Sequence, residues 1–450
     1  MQWTPWCGMA LLAALVWAGA ARPSCAQAAP ASDQPAQAQS APQPQSEQAY
    51  TLPPEKLAKA IALNRIRLTL EIVGSVWGLL VIGLLLATRA ASGLERWTER
   101  VARRRWVQGL IFFAAIAVMV TLAELPLDLI GESASRHYSI SVQSWAGWWG
   151  DWMKALALGA VFGSLLLLLF NWIVKVSPRR FWLWSWAIAV PIMALVTFVS
   201  PVFIEPIFDK FEPLQKSDPK LVVDLEKVVA RTGTNIPPDR MYLMKASVKT
   251  NGLNAYVSGL GATKRVVVWD TTAGRIPDDE IMFIFGHESG HYVLHHIAKG
   301  LFVSAVALFF VFWACAGFAG WMARRFGAHW GIAERDGLAP LATHAGFVVL
   351  IFAVSIASFL LEPAANTFSR YLEHQADVYG QEAIHGLVPD PQRTAAASFN
   401  ALGQAWLDDP NPNRFIEIWL YDHPSVKTRA NFAAHYDPWK NGGHGEFFSH

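Results

Sequence analysis

Charge is scarce in this sequence. Asp, Glu, Lys and Arg make up only 16% of its 450 residues against 53% hydrophobic ones, which excludes an ordinary soluble enzyme and indicates a membrane protein. The net formal charge is only +2 and the basic residues lie in short clusters beside apolar runs, so nucleic acid is not expected as a partner. Cysteine is nearly missing, with Cys7, Cys25 and Cys315 alone. Met1 to Ala28 has an apolar centre around Met9 to Ala20 and then Ala26-Gln27-Ala28, a small-x-small site that suits signal peptidase, although no Lys or Arg precedes it. A cleaved signal peptide over 1–28 is therefore expected. Cleavage there leaves only Cys315, inside an apolar run, and so excludes a disulfide within the chain. Large apolar residues are then almost absent from 29–54, an Ala, Gln, Pro and Ser stretch that reads as a disordered tether.

Apolar runs and tryptophan, by contrast, are abundant. Leu68 to Thr88, Trp106 to Ile130, Ala155 to Val174, Phe181 to Ile204, Ile297 to Met322 and Leu341 to Leu361 each approach the ~20 residues that span a bilayer. Flanking Arg, Lys and Trp favour six membrane spans over helices buried in a soluble core. Glu71, Glu124 and Asp128 lie in or near these runs and are expected to face the bundle interior, a water-filled cavity or the headgroup level. The fold class is thus a mainly α-helical multi-pass membrane protein. Its parts are a four-span N-terminal membrane domain over 55–204, a polar insert over 205–296, two spans over 297–361 and a C-terminal region over 362–450. Within the insert, Pro219 to Arg231 has helical spacing. Asp239 to Ala246, Asn254 to Leu260 and Lys264 to Asp270 read as strands, with a hairpin at Gly259 and Gly261.

The insert ends in Ile284-Phe-Gly-His287-Glu288-Ser-Gly-His291-Tyr-Val-Leu-His295-His296, preceded by the acidic helix start Asp278-Asp-Glu280. Two histidines four residues apart share a helix face, so both can reach one Zn²⁺ at about 2 Å while Glu288 faces a bound water. The bland alternative is a surface helix with scattered histidines. The strongly apolar surroundings oppose it, because buried histidines and a glutamate need the polar partners that a metal and its water supply. A catalytic zinc keeps one position open and needs a third protein ligand. Candidates lie in Ser369-Arg-Tyr-Leu-Glu373-His374-Gln-Ala-Asp377. Glu373 and Asp377 stand one turn apart, so Glu373 can bind the metal while Asp377 accepts the free N–H of a ligand histidine, His287 first among them. His374 is a rival ligand but points roughly 100° away from Glu373.

Together these stretches resemble the membrane-integral zinc metalloproteases typified by the type I CAAX prenyl protease. The segment Pro201 to Leu214, the pair Asn254-Ala255-Tyr256 and Lys264 to Thr271, the two metal-binding stretches and His423-Pro424 with Arg429 occur in that family's order. The resemblance implies a zincin-type metalloprotease domain with a small β-sheet beside a ring of helices that encloses a chamber. It implies one zinc per chain on His287, His291 and Glu373, with Glu288 as general base and Asp377 behind a ligand histidine. It also implies His423 and Arg429 near the cleft as donors to the oxyanion, and Asn254, Ala255 and Tyr256 on a strand that binds the polypeptide substrate. In one respect the sequence departs from the family: its first span and following loop are replaced by the signal peptide and tether, which leaves the ring one helix short.

Two readings from other classes compete with a zinc endopeptidase (EC 3.4.24.-). One is a helical transporter with structural zinc, which would favour four protein ligands and has no use for Glu288. The other is an inactive adaptor of the same fold. The signal peptide and tether have a bacterial look, so prenylated substrates are not expected, and membrane or envelope proteins are. Arg89, Arg96, Arg100, Arg103, Arg104 and Arg105, then Lys175, Arg179 and Arg180, then Arg324, Arg325 and Arg335 fall in three connections on one side. Positive residues stay inside, so the zinc domain is expected on the periplasmic face of the bacterial inner membrane.

Overall fold

Chain order alternates membrane-length helices with one compact α+β insertion. The computed structural model describes residues 26–27, 50–259, 261–332 and 339–448, so the expected signal peptide and most of the tether lie outside the described residues, save the two-residue strand Ala26–Gln27. The elements used below are α1 (Pro54–Ala87), α2 (Ala90–Val101), α3 (Arg105–His137), α4 (Trp145–Val176), α5 (Phe181–Phe203), β1 (Phe211–Pro213), α6 (Pro219–Thr232), β2 (Met241–Met244), β3 (Ala255–Ser258) and β4 (Arg265–Trp269). They continue with α7 (Asp278–Val293), α8 (His296–Trp330), α9 (His344–Ala383), α10 (Pro391–Trp406), α11 (Arg414–Leu420) and α12 (Val426–His435).

Six of these helices, α1, α3, α4, α5, α8 and α9, are long and apolar enough to cross a membrane. Their outward faces carry large apolar side chains, such as Leu84, Leu122, Leu165, Phe310 and Trp313, that are more than half exposed and suit contact with lipid tails. Within the bundle α9 is central and α8 peripheral, for half of the apolar window of α9 is buried and only 11% of that of α8. Phe112, Phe113, Leu167, Phe170, Phe347 and Val349 fill the membrane core. A second core belongs to the insertion and joins Leu221 and Leu225 of α6, the strands, Ile281 to Phe285 of α7 and Phe399 of α10.

The sheet has the order β1-β2-β4-β3, with β2 parallel to β4 and both outer pairs antiparallel. Every residue of β4, Arg265-Val-Val-Val-Trp269, is buried, as a central strand rich in β-branched side chains should be. β3 is left at the edge. The hairpin expected between β3 and β4 is present, with Gly259 and Gly261 both in left-handed conformations.

Several expectations need correction. Tyr50, placed in the tether by composition, is instead fully buried, and its hydroxyl donates to the Asp408 carbonyl at 2.9 Å. The first span is the distal part of a 34-residue helix that begins at Pro54; at ~51 Å it outreaches a ~30 Å hydrocarbon layer, and its start, with Ala60 and Leu63, belongs to the insertion's core. Between the first two spans lies a helix, α2, whose buried Glu95 accepts the N–H groups of His344 and Ala345 at 2.9 and 3.2 Å and so caps α9. The expected boundary at 361/362 falls inside α9, which runs unbroken for 40 residues through Pro363.

Candidate metal centre

α7 supplies the first half of the site. Pro277 and the acidic residues Asp278, Asp279 and Glu280 start this helix, and its apolar run Ile281 to Phe285 anchors it in the insertion's core, so His287 and His291 follow on one fixed face. α9 crosses it at glycines. A methyl group built on Gly286 would stand 3.0 Å from the Gly380 carbonyl oxygen, and one on Gly380 only 2.6 Å from the His287 nitrogen. Only a glycine pair lets the two backbones approach so closely, and that approach brings Glu373 and Asp377 to the histidines.

His287 Nε2 and His291 Nε2 lie 3.2 Å apart, His287 Nε2 is 3.3 Å from Glu373 Oε2 and His291 Nε2 is 3.4 Å from Glu373 Oε1. An ion held tetrahedrally at 2.0–2.1 Å needs donor atoms about 3.3 Å apart, so the three side chains fit a zinc-sized cation. Glu373 Oε2 is buried and accepts no well-directed hydrogen bond among the described residues, a lone pair that a cation would use. Among the described residues, this trio is the one group of His, Cys, Asp and Glu drawn together in this way. His374 is not part of it; its ring packs against Phe432.

Behind His287 stands Asp377, whose Oδ1 is 2.9 Å from His287 Nδ1. Arg429 from α12 donates to both Asp377 oxygens, Nε to Oδ2 at 2.9 Å and Nη2 to Oδ1 at 2.5 Å. The guanidinium is thereby engaged behind His287, with Nη2 3.6 Å from Glu373 Oε2. His423 does reach the centre, with Nε2 3.1 Å from Glu373 Oε2 and Nδ1 2.9 Å from Asp422 Oδ1. Burial alone would lower the His423 pKa, but Glu373 and Asp422 outweigh it and raise it to about 10. Burial lowers His291 to about 3, which leaves a neutral ring with a free lone pair. Burial also pushes the Glu288 carboxyl up to about 7, within the range of a base that exchanges protons at neutral pH.

β3 runs beside this centre. Trp269 N–H donates to the Asn254 carbonyl, and the alternation of an antiparallel ladder then turns the N–H and C=O groups of Ala255 and Val257 away from β4. Val257 N–H meets Glu288 Oε2 at 3.5 Å, so the free sheet edge and the candidate base touch. Asn254 Nδ2 is buried with no partner among the described residues. Tyr256 donates its hydroxyl to Glu205 Oε2 at 2.8 Å, and Arg265 Nη2 donates to the same oxygen at 2.6 Å. Sequence reasoning missed that Glu205 link and Asp422, because nothing in their spacing ties them to the motif helix, and it gave His296 no role although that residue closes the motif stretch.

Residues 216–437 match Peptidase family M48, and residues 35–210 match the CAAX prenyl protease N-terminal region, described as five membrane helices. Four membrane-length helices fall within that stretch among the described residues. A Bacillus subtilis metalloprotease, YhfN, is 31% identical over 391 residues, 86% of this chain and 88% of its own. CAAX prenyl protease 1 of Saccharomyces cerevisiae is 31% identical over 210 residues, 46% of this chain and 45% of its own. The crystal structure of S. mikatae Ste24p superposes with a TM-score of 0.72 at 21% identity and covers 87% of this chain and 91% of that one, which establishes the shared fold. The protein is a multi-pass membrane metalloprotease. It belongs to peptidase family M48.

Proposed function

We propose that the chain is a zinc-dependent endopeptidase that cleaves membrane or envelope proteins, with its catalytic domain on the periplasmic face of a bacterial inner membrane. The observation that carries this reading is the triangle of His287, His291 and Glu373 at 3.2–3.4 Å with Glu288 against the free edge of β3. His287 Nε2, His291 Nε2 and the Glu373 carboxylate would hold one zinc ion per chain. Bound there, zinc supplies a Lewis acid for the scissile carbonyl and acidifies a water towards a pKa of ~7.

The chain's own groups do the rest. Ala255 and Val257 offer an extended peptide the backbone groups of a new strand, which fixes its register without demanding a particular side-chain sequence. Asn254 Nδ2 supplies a further donor beside that strand. Glu288 accepts the water's proton on its carboxylate and returns it to the nitrogen of the leaving amine, so no covalent enzyme intermediate is required. His423 Nε2–H donates to the oxygen that gains charge. Arg429 acts through Asp377, by holding the carboxylate that orients His287.

The test is cleavage of an unstructured fluorogenic peptide mixture by the purified full chain, with and without a zinc chelator. The wild type should cleave, lose activity to the chelator and regain it with zinc. Glu288→Gln should retain zinc and lose turnover by at least about 100-fold, since an amide fills the space but accepts no proton. Near wild-type cleavage by Glu288→Gln would remove Glu288 from the mechanism.

A further inference from the structure

His291 has an orienting partner of its own. Its Nδ1 lies 3.1 Å from Nδ1 of His296, a residue only 3% exposed. Residues five apart in a continuous helix point about 140° away from each other, so these two rings could not meet if α7 ran on into α8. It does not. Leu294 and His295 separate the helices, and His295 adopts a left-handed backbone conformation, φ 58°, that costs a non-glycine residue roughly 1 kcal/mol or more. That turn swings the first residue of α8 back onto the last turn of α7, where its ring packs edge-on against His291 with centroids 5.1 Å apart. Strain held at one residue beside a candidate metal ligand is the kind that persists where function requires it.

We propose that His296 is the positioning residue of the second histidine ligand, accepting the Nδ1–H of His291 on its own Nδ1 and so directing His291 Nε2 at the metal. The inference rests on His291 being a zinc ligand. With Nδ1 as acceptor, His296 must carry its proton on Nε2. The side chain of Gln375, from α9, stands beside the His296 ring. His296 Nε2 and Gln375 Oε1 are both buried and neither has a hydrogen-bond partner among the described residues, so each is the group the other lacks, while Gln375 Nε2 donates to the exposed Tyr371 hydroxyl at 3.3 Å. The two ligand histidines are therefore backed differently. His287 rests on a carboxylate paired with Arg429, and His291 on a neutral imidazole and a neutral amide, which fixes the tautomer without adding a second negative charge behind the metal.

The experiment measures zinc affinity by chelator competition, and apo-protein melting, for the full-length wild type and for His291→Ala, His296→Phe, His296→Asn and Gln375→Leu. His296→Phe keeps the ring and removes the acceptor, so its zinc dissociation constant should rise about 10- to 100-fold. His296→Asn places an amide oxygen near the old Nδ1 and should restore affinity to within about threefold of wild type. Wild-type affinity in His296→Phe, alongside loss in His291→Ala, overturns this inference and leaves the zinc site intact. Retention of zinc by His291→Ala overturns the reading beneath it. Equal loss in the Phe and Asn variants with unchanged apo melting also overturns the inference, since bulk and not hydrogen bonding would then matter. If the Phe variant melts early, Gln375→Leu decides, because it leaves both rings in place; several-fold weaker binding supports the chain and unchanged binding overturns it.

Discussion

Gly380→Ala tests the architecture of the site without touching any group that does chemistry. The added methyl would lie 2.6 Å from the His287 nitrogen and 2.9 Å from its Cα, where ordinary contact begins at 3.4 Å. Relief therefore needs a separation of about 0.8 Å, the difference between 3.4 and 2.6 Å, between the backbones of α7 and α9. Backbone atoms cannot swing aside as a flexible side chain can. Gly286 tightens the same crossing from the opposite helix. Metal sites tolerate about ±0.2 Å in ligand distance, so a shift of this size moves Glu373 beyond reach of a cation held by His287 and His291.

Local propensity works the other way. Alanine in a helix interior is favoured over glycine by up to about 1 kcal/mol, so any loss must come from the crossing itself. Zinc affinity by chelator competition should fall at least about tenfold, with helical content by circular dichroism unchanged. Gly317→Ala is the control, because a methyl there meets nothing within 4 Å and its affinity should match wild type. Wild-type zinc binding by Gly380→Ala would mean that the two helices do not set the ligand distances, and the geometric argument would fail.

Other substitutions separate the remaining roles. Glu373→Ala should strip most of the zinc, while Asp377→Ala should weaken binding about tenfold by freeing His287, and full occupancy in the Glu373 variant would contradict the ligand set. Asp377→Ala also leaves the buried Arg429 guanidinium unpaired, which costs on the order of 3–5 kcal/mol; a double variant with Arg429→Met should melt at a higher temperature than the single one. Tyr256→Phe cuts the link from β3 to Glu205 and should raise KM about fivefold, near 1 kcal/mol, with kcat within twofold. A fall in kcat at constant KM would place Tyr256 in the chemistry instead. For sidedness, Lys216→Cys should label with a membrane-impermeant thiol reagent on spheroplasts and Arg100→Cys should not, each in a Cys315→Ala background. The reverse pattern would put the catalytic domain in the cytoplasm.

Much of this site is legible in the sequence because its chemistry sits at helical spacing: the histidines at 287 and 291 and the carboxylates at 373 and 377 each lie one turn apart. Membrane-length apolar runs are equally plain, since a bilayer demands length and composition at once. What escapes are contacts between segments far apart in the chain. Arg429 finds Asp377 across 52 residues, and no local pattern foretells that pairing. Tyr50 packs against Gly403 at the end of a stretch whose composition predicts disorder, because one aromatic in a burying environment outweighs its neighbours. His295 is opaque for a different reason, as a left-handed histidine has no sequence signature to set against glycine.

Pro363 shows most clearly why a local rule gave way. A proline removes one backbone donor and crowds the preceding turn, so the residue type argues for a helix break there; α9 nevertheless runs through it, and the residues just beyond it are tied to the neighbouring chain. Thr367 returns its hydroxyl to the Pro363 carbonyl at 2.7 Å, Asn366 Nδ2 donates to the Trp419 carbonyl at 2.6 Å, and Arg370 Nη1 donates to the carbonyls of Glu417 and Tyr421 at 3.0 and 2.5 Å. The Asn366 and Arg370 bonds clamp the first turns beyond the proline onto α11 and the residue that follows it. The consequence is mechanical. Glu95 holds the start of α9 at one end of the bundle, the clamp holds its middle, and the glycine crossing holds its far end against α7. A break at Pro363 would leave Glu373 on a short helix free to pivot, whereas a continuous helix fixed at three points gives the proposed third metal ligand a place defined by the membrane bundle as well as by the insertion.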